Sequence, residues 1–328
     1  MTLNNPNITV SIVIPVYGVS DYIERCIGCV MHQTYENIEC IVIDDASPDD
    51  SIAKCERMMV DYQGPIRFSI LHHEHNRGMS AARNTGLQAA SGEYIYFLDG
   101  DDAITFDCIE KLVKPVHNDP TIEMVMGSFE RRANGSPVTR KQRRGVKFQE
   151  KDIPKHERVR DSFFNNELHV NAWNKLIKRD FLMRYQLFFE EGYLWEDLLW
   201  TFFVMKHLSH LYTIPNVTYY QLKRPHSVTT GTIRDVKQRH WGAVYEKIAQ
   251  NFTPEEEARE AKHYLPKFCQ EWMRRPEIKS FHRAASLFKK ALSDGNHRSA
   301  LTLLSIASFA AKRAVNVKCF FNGVKILV

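Results

Sequence analysis

The 328-residue chain lacks any run of about 18 or more uncharged apolar residues, so a bilayer-spanning helix is not expected. Met1 to Val10 carry neither a basic flank nor an apolar signal core, and a cytoplasmic location is the expectation. Seven cysteines, an odd number scattered along the chain, make no disulfide framework and fit a reducing compartment. Cys26 and Cys29 form a C-x-x-C pair but fall in a predicted helix without a second pair at metal spacing, which argues against zinc or redox chemistry. The dinucleotide fingerprint is missing too: the first strand ends in Pro15-Val16-Tyr17-Gly18 with no G-x-x-G after it, and no G-x-x-x-x-G-K-[ST] phosphate loop occurs. Hydride transfer and ordinary kinase chemistry lose most of their support. A nucleotide here has to be held by carboxylates, aromatic contact and a metal.

What is present reads as a globular protein, 44% hydrophobic and 25% charged, long enough for a domain of roughly 200 residues and an appendage. Short β-branched or aromatic runs at Ser11 to Val16, Ile38 to Ile43, Arg67 to Leu71 and Glu93 to Leu98 predict strands. Helices are predicted over Asp21 to Gln33, Asp49 to Tyr62, Met79 to Ala90 and Phe106 to Asn118. Alternation of the two predicts an α/β fold with a mostly parallel sheet covered on both faces. In such sheets ligands bind beyond the carboxyl ends of strands, and there the polar clusters fall: Tyr17, Asp44-Asp45, His72 to Arg77 and Asp99 to Asp102.

The last cluster is the most informative. Tyr94-Ile-Tyr-Phe-Leu-Asp99-Gly100-Asp101-Asp102 breaks from an apolar strand into three carboxylates around a glycine. Crowded carboxylates repel one another unless a cation lies between them, which points to a divalent metal on hard oxygen ligands. The alternative is a solvated acidic turn capping the following helix near Thr105.

Four segments, Ser11-Ile-Val-Ile-Pro-Val-Tyr17, Asp44-Asp-Ala-Ser47, Asn76-Arg-Gly-Met-Ser-Ala-Ala-Arg-Asn-Thr-Gly86 and Phe97-Leu-Asp-Gly-Asp-Asp102, closely resemble in order and spacing the family 2 glycosyltransferases of the GT-A fold. The match covers roughly the first 130 residues and resumes at Trp173-Asn-Lys175 and Trp195-Glu-Asp197. The resemblance implies a GT-A nucleotide-diphospho-sugar transferase fold with inverting, metal-assisted chemistry. It implies donor contacts from Pro15, Val16, Tyr17, Asp45, Arg83, Asp99, Gly100, Asp101 and Arg224. Asp45 can accept a hydrogen bond from a uracil imide while Tyr17 offers the base an apolar face; the alternative for Asp45 is a turn or helix-cap carboxylate. Arg83 is a charged fork suited to base oxygens or phosphate, or else a solvated helix residue. Asp99 and Asp101 form the D-x-D motif that would hold Mg²⁺ or Mn²⁺, joined by Asp102 and His226. Trp173, Lys175 and Trp195 are implied acceptor contacts, Trp173 being equally compatible with core packing. In the E-D motif, Asp197 is the implied general base and Glu196 a positioning acid, although a pair of acids opening a helix is also an ordinary dipole interaction.

The stretch from Glu130 to Arg160 is basic and turn-rich, either a solvated loop or an acceptor-side flap. No nucleic-acid-binding signature accompanies it. Past His240 the pattern turns helical and strongly basic, compatible with a helical bundle packed on the core or with helices lying on an anionic membrane, on its inner face. The expected organisation is a catalytic domain over 1–232, with a nucleotide half at about 8–130 and an acceptor half at 131–232, followed by a helical basic region over 233–328.

The chemistry implied is transfer of a hexose-type unit from a nucleoside diphosphate sugar, UDP favoured, to a hydroxyl of a glycan or lipid-linked acceptor in cell-surface polysaccharide synthesis. Two competitors stand beside it. A nucleotidyltransferase should carry a glycine- and Lys/Arg-rich triphosphate loop near the first strand, where this chain has Pro15-Val-Tyr17. A non-catalytic glycan-binding or scaffold member of the fold has no use for intact Asp99, Asp101 and Asp197.

Overall fold

A computed structural model describes residues 8–133, 146–164 and 167–223, with single positions at 236, 240, 243, 244, 247, 248 and 251. The chain divides into two compact units, Met1–Phe163 with Leu168–Ile233, and Phe164–Glu167 with Arg234–Val328. In the second, Val244 and Ile248 are buried. The fold that follows is that of the first unit.

Strand β1, Val10–Val16, is buried at every position, as its near-continuous apolar run demands of a central parallel strand. It pairs in parallel with β2 (Ile38–Asp44) on one side and β4 (Tyr94–Phe97) on the other, while β3 (Arg67–His72) extends the sheet beyond β2. Helices α1 (Ser20–Met31), α2 (Ser51–Asp61) and α3 (Met79–Ala89) make the crossovers. The chain therefore runs outward through β1, β2 and β3 and returns to the far flank of β1. That reversal is a topological switch point, and the carboxyl ends of the two strands beside it, β1 and β4, lead into Tyr17 and Asp99.

The second half adds β5 (Ala103–Ile104), α4 (Cys108–Asn118), β6 (Met124–Ala133), β7 (Lys151–Ile153), α5 (His156–Phe164), β8 (Lys175–Lys178), α6 (Arg179–Arg184), α7 (Glu196–His207) and β9 (Leu211–Lys223). The sheet order is β3-β2-β1-β4-β8-β6-β9-β5, with β7 on β9. Its long pairings, β1 with β2 and β6 with β9, are parallel, and its antiparallel pairings are short. The main core packs Ile12, Ile14 and Val42 of the sheet with Ile23, Ile27 and Val30 of α1 and Leu112 and Val116 of α4. On β1, Val13 meets α3, where a Cβ on Gly86 would lie 2.2 Å from the Val13 Cγ1.

The four predicted strands and helices of the first 118 residues are present with ends shifted by a residue or two. The capping reading of the acidic run does not hold, because β5 intervenes before α4, whose N-cap is Asp107. The basic stretch after Glu130 supplies the end of β6, then β7 and the start of α5; its residues 134–145 lie outside the described residues. Arg224 and His226, and nearly all of the predicted C-terminal helical region, also lie outside them.

Candidate active site

Leaving β4, the chain turns at once, with the Asp102 N–H donating to the Asp99 carbonyl at 3.0 Å. A glycine is required inside that turn: a Cβ on Gly100 would stand 3.0 Å from the Pro15 carbonyl oxygen. Pro15 and Val16 thus end β1 with buried side chains, leaving backbone to face a ligand, while the ring of Tyr17 is 48% exposed. Carboxylate oxygens of Asp99, Asp101 and Asp102 all lie within 4.8 Å of one another. Asp102 is the buried member, its Oδ2 accepting from the Tyr219 hydroxyl at 2.6 Å and its Oδ1 from the Leu222 N–H at 2.7 Å. Burial, then Asp101 and Asp99, push its pKa well above the usual carboxylate range. Three hard oxygen donors in mutual repulsion fit a divalent cation, and Asp102 anchors the turn to β9.

Arg83 on α3 is 3% exposed. Its fork is divided, one nitrogen donating to Asp99 Oδ1 at 2.8 Å and the other to Glu196 Oε1 at 2.9 Å, with the guanidinium 5.2 Å from the Phe189 ring centroid. Burial opposes the charge, yet Asp99 and Glu196 hold the pKa above its ordinary value. Removing one partner of such a buried pair costs roughly 3–5 kcal/mol, so the three groups form one unit. The D-x-D and E-D motifs, nearly 100 residues apart in sequence, therefore meet on a single side chain.

Asp197 follows Glu196 in the first turn of α7. Burial, then the neighbouring Glu196, push its carboxyl up to about 7, against the pull of Arg83 and Lys175. The chain reaches this helix through two left-handed positions, Gly192 at φ 85° and Trp195 at φ 70°. Only the second is unusual for its residue type. The Trp195 indole N–H is buried and has no partner among the described residues.

Two expected acceptor contacts are enclosed, and Asp45 is engaged in holding a turn. Trp173 is 2% exposed and stacks on Tyr219 with ring centroids 4.2 Å apart and Phe129 edge-on, so it packs in the core and presents no face to a sugar. Lys175 is fully buried at the start of β8, where its ammonium donates to the Asn171 carbonyl and lies 3.3 Å from His169 Nδ1. Burial pushes its pKa down to about 7, opposed by the charge of Asp197, so Lys175 lies inside the protein within electrostatic reach of Asp197 and presents no surface to an acceptor. Asp45 is buried with its oxygens accepting from the Arg77 and Gly78 N–H groups at 2.8 and 2.7 Å and from His73 Nδ1 at 2.7 Å. That is the turn-holding alternative, fixing the entry to α3. Sequence reasoning also passed over Asn84, Phe189 and His169; an asparagine in the middle of α3, where its side chain has no capping task, was the available signal.

A parallel half-sheet with an acidic turn at its switch point, met by a second carboxylate pair from a later helix, is the GT-A arrangement of a glycosyltransferase. The chain belongs to glycosyl transferase family 2, whose model matches residues 11–186. It is 35% identical to the glycosyltransferase GlyG of Streptococcus pneumoniae over 120 residues, 37% of this chain and 38% of GlyG. Identity to the putative glycosyltransferase EpsH of Bacillus subtilis is 31% over 180 residues, 55% of this chain and 50% of EpsH. The aligned parts thus span half or less of these two relatives. Among solved structures, S. aureus TarS 1–349 in complex with UDP-GlcNAc aligns with a TM-score of 0.68 at 17% identity, covering 86% of this chain and 81% of that one. The mannosyltransferase PcManGT of Pyrobaculum calidifontis, in complex with GDP-Man and Mn²⁺, aligns at 0.56 and 18%, covering 97% and 86%. At these identities the likeness is one of fold.

Proposed function

We propose that the protein transfers a hexose-type sugar, with inversion, from a nucleoside diphosphate donor to a hydroxyl of a glycan or lipid-linked acceptor, in the service of cell-surface polysaccharide synthesis. The observation that carries this reading is the Arg83 fork, which ties the donor-side Asp99 to the acid pair that opens α7. Asp99 and Asp101 would hold Mg²⁺ or Mn²⁺, which when bound supplies positive charge against the departing diphosphate. Asp197 takes the proton of the attacking hydroxyl, and its half-buried carboxyl, raised to about 7, has the proton affinity such a base needs. Glu196 is held by Arg83 and keeps the first turn of α7 in place. Uridine is the favoured base, lying on the exposed ring of Tyr17 beside the backbone of Pro15 and Val16. TarS and PcManGT were solved with different nucleotides, so the fold itself leaves the base open.

No helix among the described residues is long and apolar enough to cross a membrane. The proposed membrane contact is peripheral, through the basic C-terminal region on the inner face.

Calorimetry with UDP tests the donor and the metal together. Affinity should fall sharply in EDTA and in Asp101→Ala, because two carboxylates would otherwise face a diphosphate of like charge. Equal binding with and without Mn²⁺ would remove the metal from the reading. A screen of nucleotide sugars by nucleotide release then identifies the sugar, and failure of every donor would favour a non-catalytic role.

A further inference from the structure

We propose that Asn84 is a positioning residue for the acid pair of α7, acting through the backbone of Phe189. This rests on the reading of Asp197 as the base. The Asn84 amide grips Phe189 in both directions, donating from Nδ2 to its carbonyl at 2.8 Å and accepting from its N–H at Oδ1, also at 2.8 Å. Two bonds to the N–H and C=O of one residue fix its backbone orientation as well as its place, as a partner strand would. An amide offers a donor and an acceptor side by side, whereas an ionised carboxylate of the same size only accepts. The same face of α3 presents Ser80, whose hydroxyl donates to the Glu190 carbonyl at 2.9 Å, and Arg83, bonded to Glu196.

Phe189 is where three functional elements converge. Its ring stacks on Trp200 of α7 with centroids 4.4 Å apart, meets Phe97 of β4 edge-on at 5.2 Å, and carries the Arg83 guanidinium. Trp200 in turn donates its indole N–H to the Leu187 carbonyl at 2.8 Å. The span from Leu187 to Trp195 is otherwise a connection without helix or strand, bent at Gly192 and Trp195. With the start of this span fixed at Phe189 and its end entering α7, Asp197 is kept half-buried near Arg83. Without the clamp at Asn84 the span gains freedom, water reaches the first turn of α7, and the carboxyl loses both its placement and its raised proton affinity.

Hydrogen–deuterium exchange on the whole chain reads the clamp without any ligand. In Asn84→Leu, peptides covering 187–198 should exchange roughly fivefold faster or more, while those covering β1 and β4 stay unchanged. Asn84→Asp, which keeps the acceptor and loses the donor, should show a smaller rise, and it is the variant to judge by where Asn84→Leu does not fold. In parallel, UDP release from UDP-glucose, UDP-galactose and UDP-GlcNAc with Mn²⁺ is followed against pH, water standing in for the acceptor. For Asn84→Leu kcat should drop roughly tenfold or more with the donor KM within about twofold, and the acid limb should move to lower pH. Unchanged exchange over 187–198, or a rise spread evenly over the chain, overturns the proposal. Asp197→Asn in the same assay separates the two readings. If it retains UDP release, the base assignment fails and with it the positioning role; if it loses release while Asn84→Leu keeps the parent kcat and acid limb, only the positioning role fails.

Discussion

A carboxylate that takes a proton from a hydroxyl near neutrality works best when its own affinity for that proton is not far from neutral, and burial gives Asp197 that property. Replacement by Asn keeps the size and removes the basicity, so kcat should fall by roughly 100-fold or more with donor affinity little changed. On the proposed role as base, the ionised form is the active one. Turnover of the parent protein should therefore rise with pH through about 7 and fall on the acid side by about tenfold per unit. Lys175 tunes this limb, since its positive charge favours the Asp197 carboxylate. Lys175→Met should move the acid limb to higher pH, and a limb that stays in place would mean the two groups are not coupled during turnover. The sequence made Asp197 visible through its E-D setting, whereas it gave Lys175 the wrong environment and left Trp173 open between an acceptor contact and the core. A residue type does not encode exposure: both precede or open β8, which lies inside the sheet between β4 and β6, so side chains that suit an acceptor end up enclosed.

At the level of elements, α3 is the part whose sequence and task agree most closely. Its small residues Ala81, Ala82 and Gly86 bring it close to the sheet, and that closeness lets Arg83 reach Asp99. Gly86→Ala separates two opposing effects. Intrinsic propensity favours alanine in a helix interior by roughly 0.5–1 kcal/mol. Against that, the new methyl would overlap Val13, which is fully buried and has nowhere to go, and overpacking of this kind costs roughly 1–3 kcal/mol. Thermal unfolding should thus show a lower Tm for Gly86→Ala, and an unchanged or raised Tm would mean that α3 stands further from β1. The first four strands and their helices were legible because each apolar run and its turn residues are local signals. The second half was not, since β6 finds its partner β9 some 80 residues later, with register shifts between Gly127 and Phe129. Asn174 spans that irregularity, donating to the Gly127 and Ser128 carbonyls from a left-handed backbone, a role that no periodicity announces.

Charge distributes unevenly over the whole molecule. Beyond Trp272 the chain has eleven Lys and Arg against Glu277 and Asp294, a net +9, while the full chain carries +5, so everything before that point carries −4. An acidic body is repelled by an anionic surface, and any attraction must come from the basic C-terminal end. Apolar residues in Leu301 to Phe309 and Cys319 to Val328 interleave with that charge, and on the proposed membrane contact they would add a contribution from burial at the headgroup boundary. The two contributions respond differently to salt. Raising ionic strength from about 0.1 to 1 M shortens the screening length from about 10 to 3 Å and should weaken co-sedimentation with phosphatidylserine vesicles without abolishing an apolar remainder. Ending the chain before Arg298 removes five of the eleven basic residues and both apolar segments, and binding should then be lost at any salt concentration. Zwitterionic phosphatidylcholine vesicles should bind the full chain weakly. Absence of binding to anionic vesicles at low salt would return the basic residues to packing or to an acceptor of negative charge, and the catalytic prediction for Asp197 would stand unaffected.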